Sequence, residues 1–414
     1  MAKDKVILLA GTWDSKGKEL DYIRKCIESL GTKTLTLDTG VFDPDFEVDI
    51  PNSEVALAGG GDIKELQEKN DRGTSMEILM NGFSVLSHKL YAEGRFDGVI
   101  GIGGSGGTSL IAPGMRALPI GVPKIIVSTM AASSNGHAYI GESDLILIPS
   151  IVDVAGLNSI STEIFANASK AIVGMVNYEI EQTHEHKPLI AATMFGNTTP
   201  AVNYAREYLE NEGYEVLVFH ATGSGGRTME HLVDQGYFEA VLDITTTEWN
   251  DELFGGILNA GPHRLEAAIE NAIPEIVSVG AIDEINFGER ETLPEEFKDR
   301  NIYQHNQTTT LVRTTAEENA LVGKKIAEKL NKAIASTTLI YPLKGNGYLS
   351  EEGMPFYDKE ADQALYDAIR ANLDPDKVEF VEIDAHINTK EFGEACAKKL
   401  LENIKLANEG EKDE

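Results

Sequence analysis

Short, wholly apolar runs punctuate this chain at intervals that leave room for a helix between them. Val6–Ala10, Thr34–Leu37, Val99–Ile102, Lys124–Thr129 and Leu145–Ile148 read as strands in the first half. Leu189–Met194, Glu215–His220, Ala240–Ile244, Ile276–Val279, Thr338–Tyr341 and Val378–Ile383 read as strands in the second. Between the first two, Leu20, Ile23, Ile27 and Leu30 recur at helical spacing, with Asp14 or Ser15 as cap and Gly31 as stop. Strands apolar on both faces and separated by helices predict a parallel sheet covered on both sides. The fold class is therefore α/β, with two doubly wound Rossmann-like domains and mostly parallel sheets.

The two halves can be laid on one another. Leu8 pairs with Ala191, Leu37 with Phe219, Val99 with Val241 and Ile126 with Val277. The offset falls between the second and third pairs, which places an insertion at about Val41–Thr74 of the first half. The pattern predicts an ancient duplication, with an N-terminal nucleotide-binding domain over 1–184 and a C-terminal domain over 185–414. The boundary falls in the polar stretch Glu181–Pro188, which contains His184 and His186, and the charged tail Ala407–Glu414 reads as frayed.

In such sheets ligands sit beyond the carboxyl ends of the strands, so the strand-end loops hold the candidate chemistry. The most telling is Asp97–Leu110, DGVIGIGGSGGTSL. Gly103, Gly104, Gly106 and Gly107 let backbone approach an anion, Ser105 and Thr108 add hydroxyls, and the following helix start offers free N–H groups. The loop is neither GxGxxG nor a Lys-containing P-loop; a tight turn that packs a helix against a sheet is the plainer alternative. The first strand ends in Gly11, Thr12, Trp13, Asp14, Ser15 and Lys16. Here Lys16 is placed for a phosphate, and Asp14 for Mg2+ through water, for catalysis or for helix capping. Asp38, Thr39 and Gly40 close the second strand, where a carboxylate either accepts ribose hydroxyls or closes an Asx turn. Ser128, Thr129 and Met130 line the wall of the same crevice.

The second half supplies Gly196, the loop Thr222, Gly223, Ser224 and Arg227, and the run Thr245, Thr246, Thr247, as candidates for a second ligand. Arg227 at a helix start is unfavourable unless an anion is near. Asp243, Glu248 and Asp283 are acids at strand ends; Asp243 and Glu248 join Asp14 as candidate catalytic groups. Zinc-type spacing is missing from the sequence, and the tempting stretches Gly104-Ser105-Gly106 and Gly223-Ser224-Gly225 do not make a GxSxG nucleophile elbow with an evident base.

Charge narrows the classes. The 36 Lys and Arg stand against 67 Asp and Glu in 414 residues, a formal charge of −31. That surplus disfavours nucleic-acid and membrane-surface binding. Two cysteines, Cys26 and Cys396, exclude a disulfide framework and suit the cytoplasm. Met1-Ala-Lys-Asp-Lys runs straight into a strand with no signal-peptide pattern, and no apolar run is long enough to span a bilayer.

Taken together, the strand-end motifs carry a resemblance over nearly the whole chain. They are Gly11–Lys16, Gly103–Thr108, Leu118–Lys124, Thr193–Gly196, Val218–Gly223, Leu242–Glu248 and Ser278–Ala281. The chain resembles the family of the ATP-binding N-terminal region of the tomato mosaic virus resistance protein, with its bacterial and fungal relatives. The resemblance implies ATP in the N-terminal domain, with Mg2+, and a homodimer. The family's first motif resembles GTxDTK; Ser15 stands at its second threonine and retains the hydroxyl. The plant protein continues into a barrel-like domain without counterpart here, so its antiviral role is not carried over. The expectation is a cytoplasmic ATP-binding protein, a slow ATPase or kinase-like phosphotransferase, with a second ligand in the interdomain cleft. The alternative is a non-catalytic, nucleotide-regulated dimeric binding module.

Overall fold

The computed structural model describes residues 4–178 and 187–410, and the chain separates into two compact units, Met1–Thr183 and His184–Glu414. Residues 181–186 of the predicted linker, His184 and His186 included, lie outside the described residues, as do 411–414 of the predicted tail.

The first unit runs β1 (Val6–Gly11), α1 (Trp13–Ser29), β2 (Lys33–Asp38), α2 (Asn52–Ala58), α3 (Ile63–Lys69) and α4 (Arg72–Ala92). It continues with β3 (Gly98–Gly103), α5 (Ser105–Arg116), β4 (Lys124–Ser128), α6 (Gly136–Ile140), β5 (Ile146–Pro149) and α7 (Ser159–Asn177). All five strands are parallel, in the order β2-β1-β3-β4-β5. The apolar runs alternate faces. Leu8, Ala10, Val99 and Ile126 pack with Phe83 of α4 and Ile111 and Met115 of α5. Ile7, Leu9, Ile100 and Val127 pack with Ile23 and Ile27 of α1 and Phe165 and Ile172 of α7. Burial on both faces is why these strands carry no polar alternation. Leu30, predicted on the buried face of α1, is instead its half-exposed C-cap. The insertion forms α2 and α3 and ends at the start of α4.

The second unit runs β6 (Leu189–Met194), α8 (Thr199–Asn211), β7 (Glu215–His220), α9 (Ser224–Asp234), β8 (Ala240–Thr245), α10 (Glu248–Phe254), α11 (Ala267–Glu270) and β9 (Glu275–Gly280). Then come β10 (Glu284–Phe287), β11 (Ile302–Asn306), β12 (Thr309–Arg313), α12 (Ala316–Leu330), β13 (Thr337–Pro342), α13 (Lys359–Asn372), β14 (Val378–Ile383) and α14 (Lys390–Gly410). Its parallel sheet has the order β14-β13-β9-β8-β6-β7. Read from its own first strand, this order matches that of the first unit, with one strand added at the far edge. Each predicted residue pair of the duplication falls on corresponding strands. Helix α14 extends to Gly410, so the start of the predicted tail is helical.

The sequence reading missed one element. Strands β10, β12 and β11 form an antiparallel sheet of three strands. They are short, and β11, reading IYQHN, is mostly polar and exposed at its end. Their apolar side is a separate small cluster of Ile285, Phe287, Leu293, Phe297 and Val312.

Candidate functional site

In each parallel sheet the strand order reverses beside its first strand, and that reversal opens a crevice at the carboxyl edge. In the first unit the crevice lies between β1 and β3. Register places Gly11 next to Asp38, Ala10 next to Gly101, and Gly103 next to Ser128. The ends of β2, β1, β3 and β4 thus bring Asp38, the Gly11–Lys16 loop, the Gly103–Thr108 loop and Ser128–Met130 into one row. At about 4.8 Å per strand the row spans roughly 14 Å.

The start of α5 is the distinctive part. The backbone N–H groups of Ser105, Gly106 and Gly107 meet no acceptor among the described residues, and Thr108 N–H is the first to turn back, to the Gly104 carbonyl at 3.0 Å. Every other described helix of eight or more residues has a side-chain oxygen on a first-turn N–H. Asp38 serves α1, Asp71 α4, Asn158 α7, Asn388 α8, Glu248 α9, Thr315 α12, Asp358 α13 and Thr389 α14. Space exists above the loop. A Cβ on Gly104 would meet only Thr129 Oγ1, at 3.8 Å, and one on Gly106 only Arg72 Nη2, at 3.3 Å. Gly103 is different: a Cβ there would lie 2.7 Å from Thr108 N, so this glycine serves the turn itself. The Thr108 hydroxyl bonds Ser128 Oγ at 2.7 Å and pins α5 to the end of β4.

Arg72 was not singled out from the sequence. It opens α4, and its exposed guanidinium reaches the start of α5 without an ion pair among the described residues. An unpaired cation at the positive end of a helix is unfavourable unless an anion joins them. In a chain with nearly two acids per base, its lack of a carboxylate partner is informative.

Asp38 is fully buried. Its Oδ1 accepts from Trp13 N–H at 3.0 Å and Gly40 N–H at 2.7 Å, the latter closing the predicted Asx turn. Its Oδ2 and the Thr39 hydroxyl are buried without partners. Burial pushes the Asp38 carboxyl up to about 6, against the pull of its two backbone donors. The predicted cap of α1 by Asp14 or Ser15 is not what forms: Thr12 is the N-cap, Ser15 Oγ bonds Thr12 Oγ1 at 3.0 Å, and Asp38 takes the first N–H. Asp14 instead accepts from Phe42 N–H at 3.0 Å and lies against Gly40. The Lys16 side chain has no ion pair among the described residues, and its backbone kinks α1 at φ −124°. A cavity of 450 Å3, lined by Ser128, Thr129, Ser150 and Asp153 among others, lies at the ends of β4 and β5.

The second unit uses its corresponding residues differently. Arg264, another residue not anticipated, is 1% exposed and held by three carboxylates. It contacts both oxygens of Asp243, Glu248 Oε2 at 2.8 Å and Glu230 Oε1 at 3.0 Å. The other Glu248 oxygen accepts from Gly223 N–H at 2.7 Å and Gly226 N–H at 3.2 Å. The anion that the Thr222–Arg227 loop invited is therefore Glu248 itself. Arg227 turns its guanidinium to the Asn259 carbonyl, 2.9 Å away. Burial works against the Arg264 charge, yet Asp243 and Glu248 hold it well protonated. Thr245 Oγ1 bonds Thr198 Oγ1 at 2.8 Å, Thr246 Oγ1 the Ser278 carbonyl, and Thr247 Oγ1 is buried without a partner. Gly196 is exposed at the end of β6, and Ser224 opens α9 at the surface. No group of three or more His, Cys, Asp or Glu is arranged to hold a metal among the described residues.

Comparison with known proteins places both units in one family. The N-terminal domain of the uncharacterised protein family UPF0261 matches residues 5–181, and its C-terminal domain matches 187–404. The chain belongs to the family UPF0261. A UPF0261 protein of Clostridium tetani is 50% identical over 399 residues, covering 96% of this chain and 98% of that protein. The ToMV susceptible protein tm-1(GCR26) of Solanum lycopersicum is 40% identical over 96% of this chain, which spans only 55% of the tomato protein. The ToMV resistance protein Tm-1(GCR237), from the same plant, is 44% identical over 80% of this chain and 45% of its own length.

Proposed function

We propose that this UPF0261 protein binds ATP with Mg2+ at the carboxyl edge of its N-terminal sheet and works as a slow ATPase or kinase-like phosphotransferase. One observation carries the reading: the start of α5 keeps three free backbone N–H groups, beside Arg72, at the point where strand order reverses. The residues present fit a nucleotide. Gly104–Gly107 and Arg72 would hold phosphate oxygens, and Lys16 would add charge from the first loop. Asp38 Oδ2 and Thr39 Oγ1, the buried unpaired acceptors, would take ribose hydroxyls. Mg2+ neutralises triphosphate charge; with no carboxylate cage to hold it among the described residues, it would ride on the phosphates, with Asp14 reaching it through water. Cytoplasmic action as a homodimer belongs to the same reading. Two cysteines without a disulfide are in keeping with it, as is the lack of any described helix long and apolar enough to cross a membrane.

A second reading, the nucleotide-regulated binding module, is favoured by the ion cluster of Arg264. Asp243 and Glu248 are committed to that guanidinium, which leaves Asp14 as the available acid of the three catalytic candidates. Phosphate release from Mg·ATP separates the two. Multiple turnovers that disappear in Asp14→Ala support the enzyme. Tight binding without turnover supports the module.

A further inference from the structure

The C-terminal unit has a cavity of its own, of 550 Å3, at the carboxyl ends of β13 and β14. The loop 343–350 forms one side and the first turn of α13 the other. Lys344, Glu351, Glu352, Lys359, Asp362 and His386 supply its charged and ionisable walls, with Asn346 and Ser350 between them. Its size suits a small metabolite.

Lys359 is the first residue of α13, at the positive end of a helix of 14 residues. It makes no ion pair among the described residues and lies over the Tyr357 ring, 5.6 Å from its centre. Lys344, by contrast, is paired with Asp384 at 3.1 Å. Asp362 Oδ1 accepts from Arg313 Nη2 at 2.7 Å, while its Oδ2 has no hydrogen bond among the described residues. Behind Asn346 and Ser350 lies Asp283, 0% exposed, with neither carboxylate oxygen hydrogen-bonded. It presses on the same loop: a Cβ on Gly347 would lie 2.7 Å from its Oδ1. His386 Nδ1 accepts from Asn388 N–H at 3.2 Å, and its Nε2 meets the Gly347 carbonyl at 3.1 Å, which ties the loop down.

We propose that this cavity binds a small zwitterion, an amino acid or a close analogue, with its ammonium group on Asp362 and its acid group on Lys359. Asp362 Oδ2 and the Lys359 ammonium stand three residues apart on one turn of α13, side by side on the cavity wall, and a small molecule bearing one charge of each sign on neighbouring carbons satisfies both. The inference is independent of the nucleotide reading, since it concerns the other unit.

The test is thermal unfolding of the full chain with glycine, L-alanine, L-serine, β-alanine and γ-aminobutyrate, against acetate and ethylamine. At least one zwitterion should raise the melting temperature of the C-terminal unit by roughly 5–10 °C at about one hundred times its Kd. Acetate and ethylamine should not. Asp362→Asn and Lys359→Ala should each abolish the rise. Asp362→Asn removes a partner of Arg313 and is checked for folding by circular dichroism; should it unfold, the exposed Lys359→Ala decides. No shift with any zwitterion, an equal shift with acetate, or a shift that survives Lys359→Ala overturns the proposal.

Discussion

Replacing Arg264 with methionine isolates the ion cluster at the heart of the C-terminal unit. The guanidinium is the shared partner of Asp243, Glu248 and Glu230, and side-chain exposure is 1% for Arg264, 1% for Asp243 and 0% for Glu248. Methionine fills a similar volume but leaves buried acids without a cation. Breaking a buried ion pair from one side costs about 3–5 kcal/mol. In a unit of this size, that lowers the melting temperature by roughly 6–20 °C. The loss depends on pH with a definite sign. Burial already holds the Glu230 and Glu248 carboxyls above their usual range against the pull of Arg264, and removing that cation raises them further, so the added loss of stability is absent at low pH and appears as pH rises through the raised values. The deficit relative to the parent should therefore be small near pH 5 and large near pH 8. Urea unfolding followed by circular dichroism at both pH values measures it. A variant within about 1 kcal/mol of the parent at pH 8, or one with equal deficits at both, would refute the assignment of this cluster as architectural.

Three further outcomes follow from named contacts. Gly103→Ala forces a Cβ to within 2.7 Å of Thr108 N and should destabilise by about 1–3 kcal/mol, whereas Gly104→Ala, with open space above it, should not; thermal unfolding compares the two. Asp38, pushed up to about 6 by burial, contributes stability that is full below about pH 4 and lost as pH rises through 6. Asp38→Asn keeps an acceptor for Trp13 and Gly40 and should remove that slope, worth about 3 kcal/mol, in urea titrations between pH 4 and 7. Arg72→Ala should weaken Mg·ATP binding roughly 10- to 100-fold, the worth of one charge-assisted contact, with little change in melting temperature because Arg72 is exposed.

The parallel sheets were legible because strands buried on both faces leave long apolar runs that little else in a chain of this charge produces. The correspondence between the two halves was legible for the same reason, and the structure adds a shared strand order that composition does not contain. What escaped notice depends on contacts distant in sequence. Arg264 lies 21 residues from Asp243 and 34 from Glu230, and nothing local marks it as their counter-ion. Arg72 became interesting only when the inserted segment delivered it to the start of α5. The glycine loops looked alike in sequence, yet Glu248 fills the helix start after Gly223 and no side chain of the described residues fills the one after Gly104. The antiparallel sheet was missed because β11 is polar and its apolar partners are too few to set a period.

Isothermal titration of Mg·ATP into the full chain tests the central claim most directly. The account predicts saturable binding at one site per chain, abolished in a Gly104→Val/Gly106→Val double variant whose circular dichroism matches the parent. Absence of binding heat across a titration to saturating nucleotide, or undiminished binding by that variant, would contradict it.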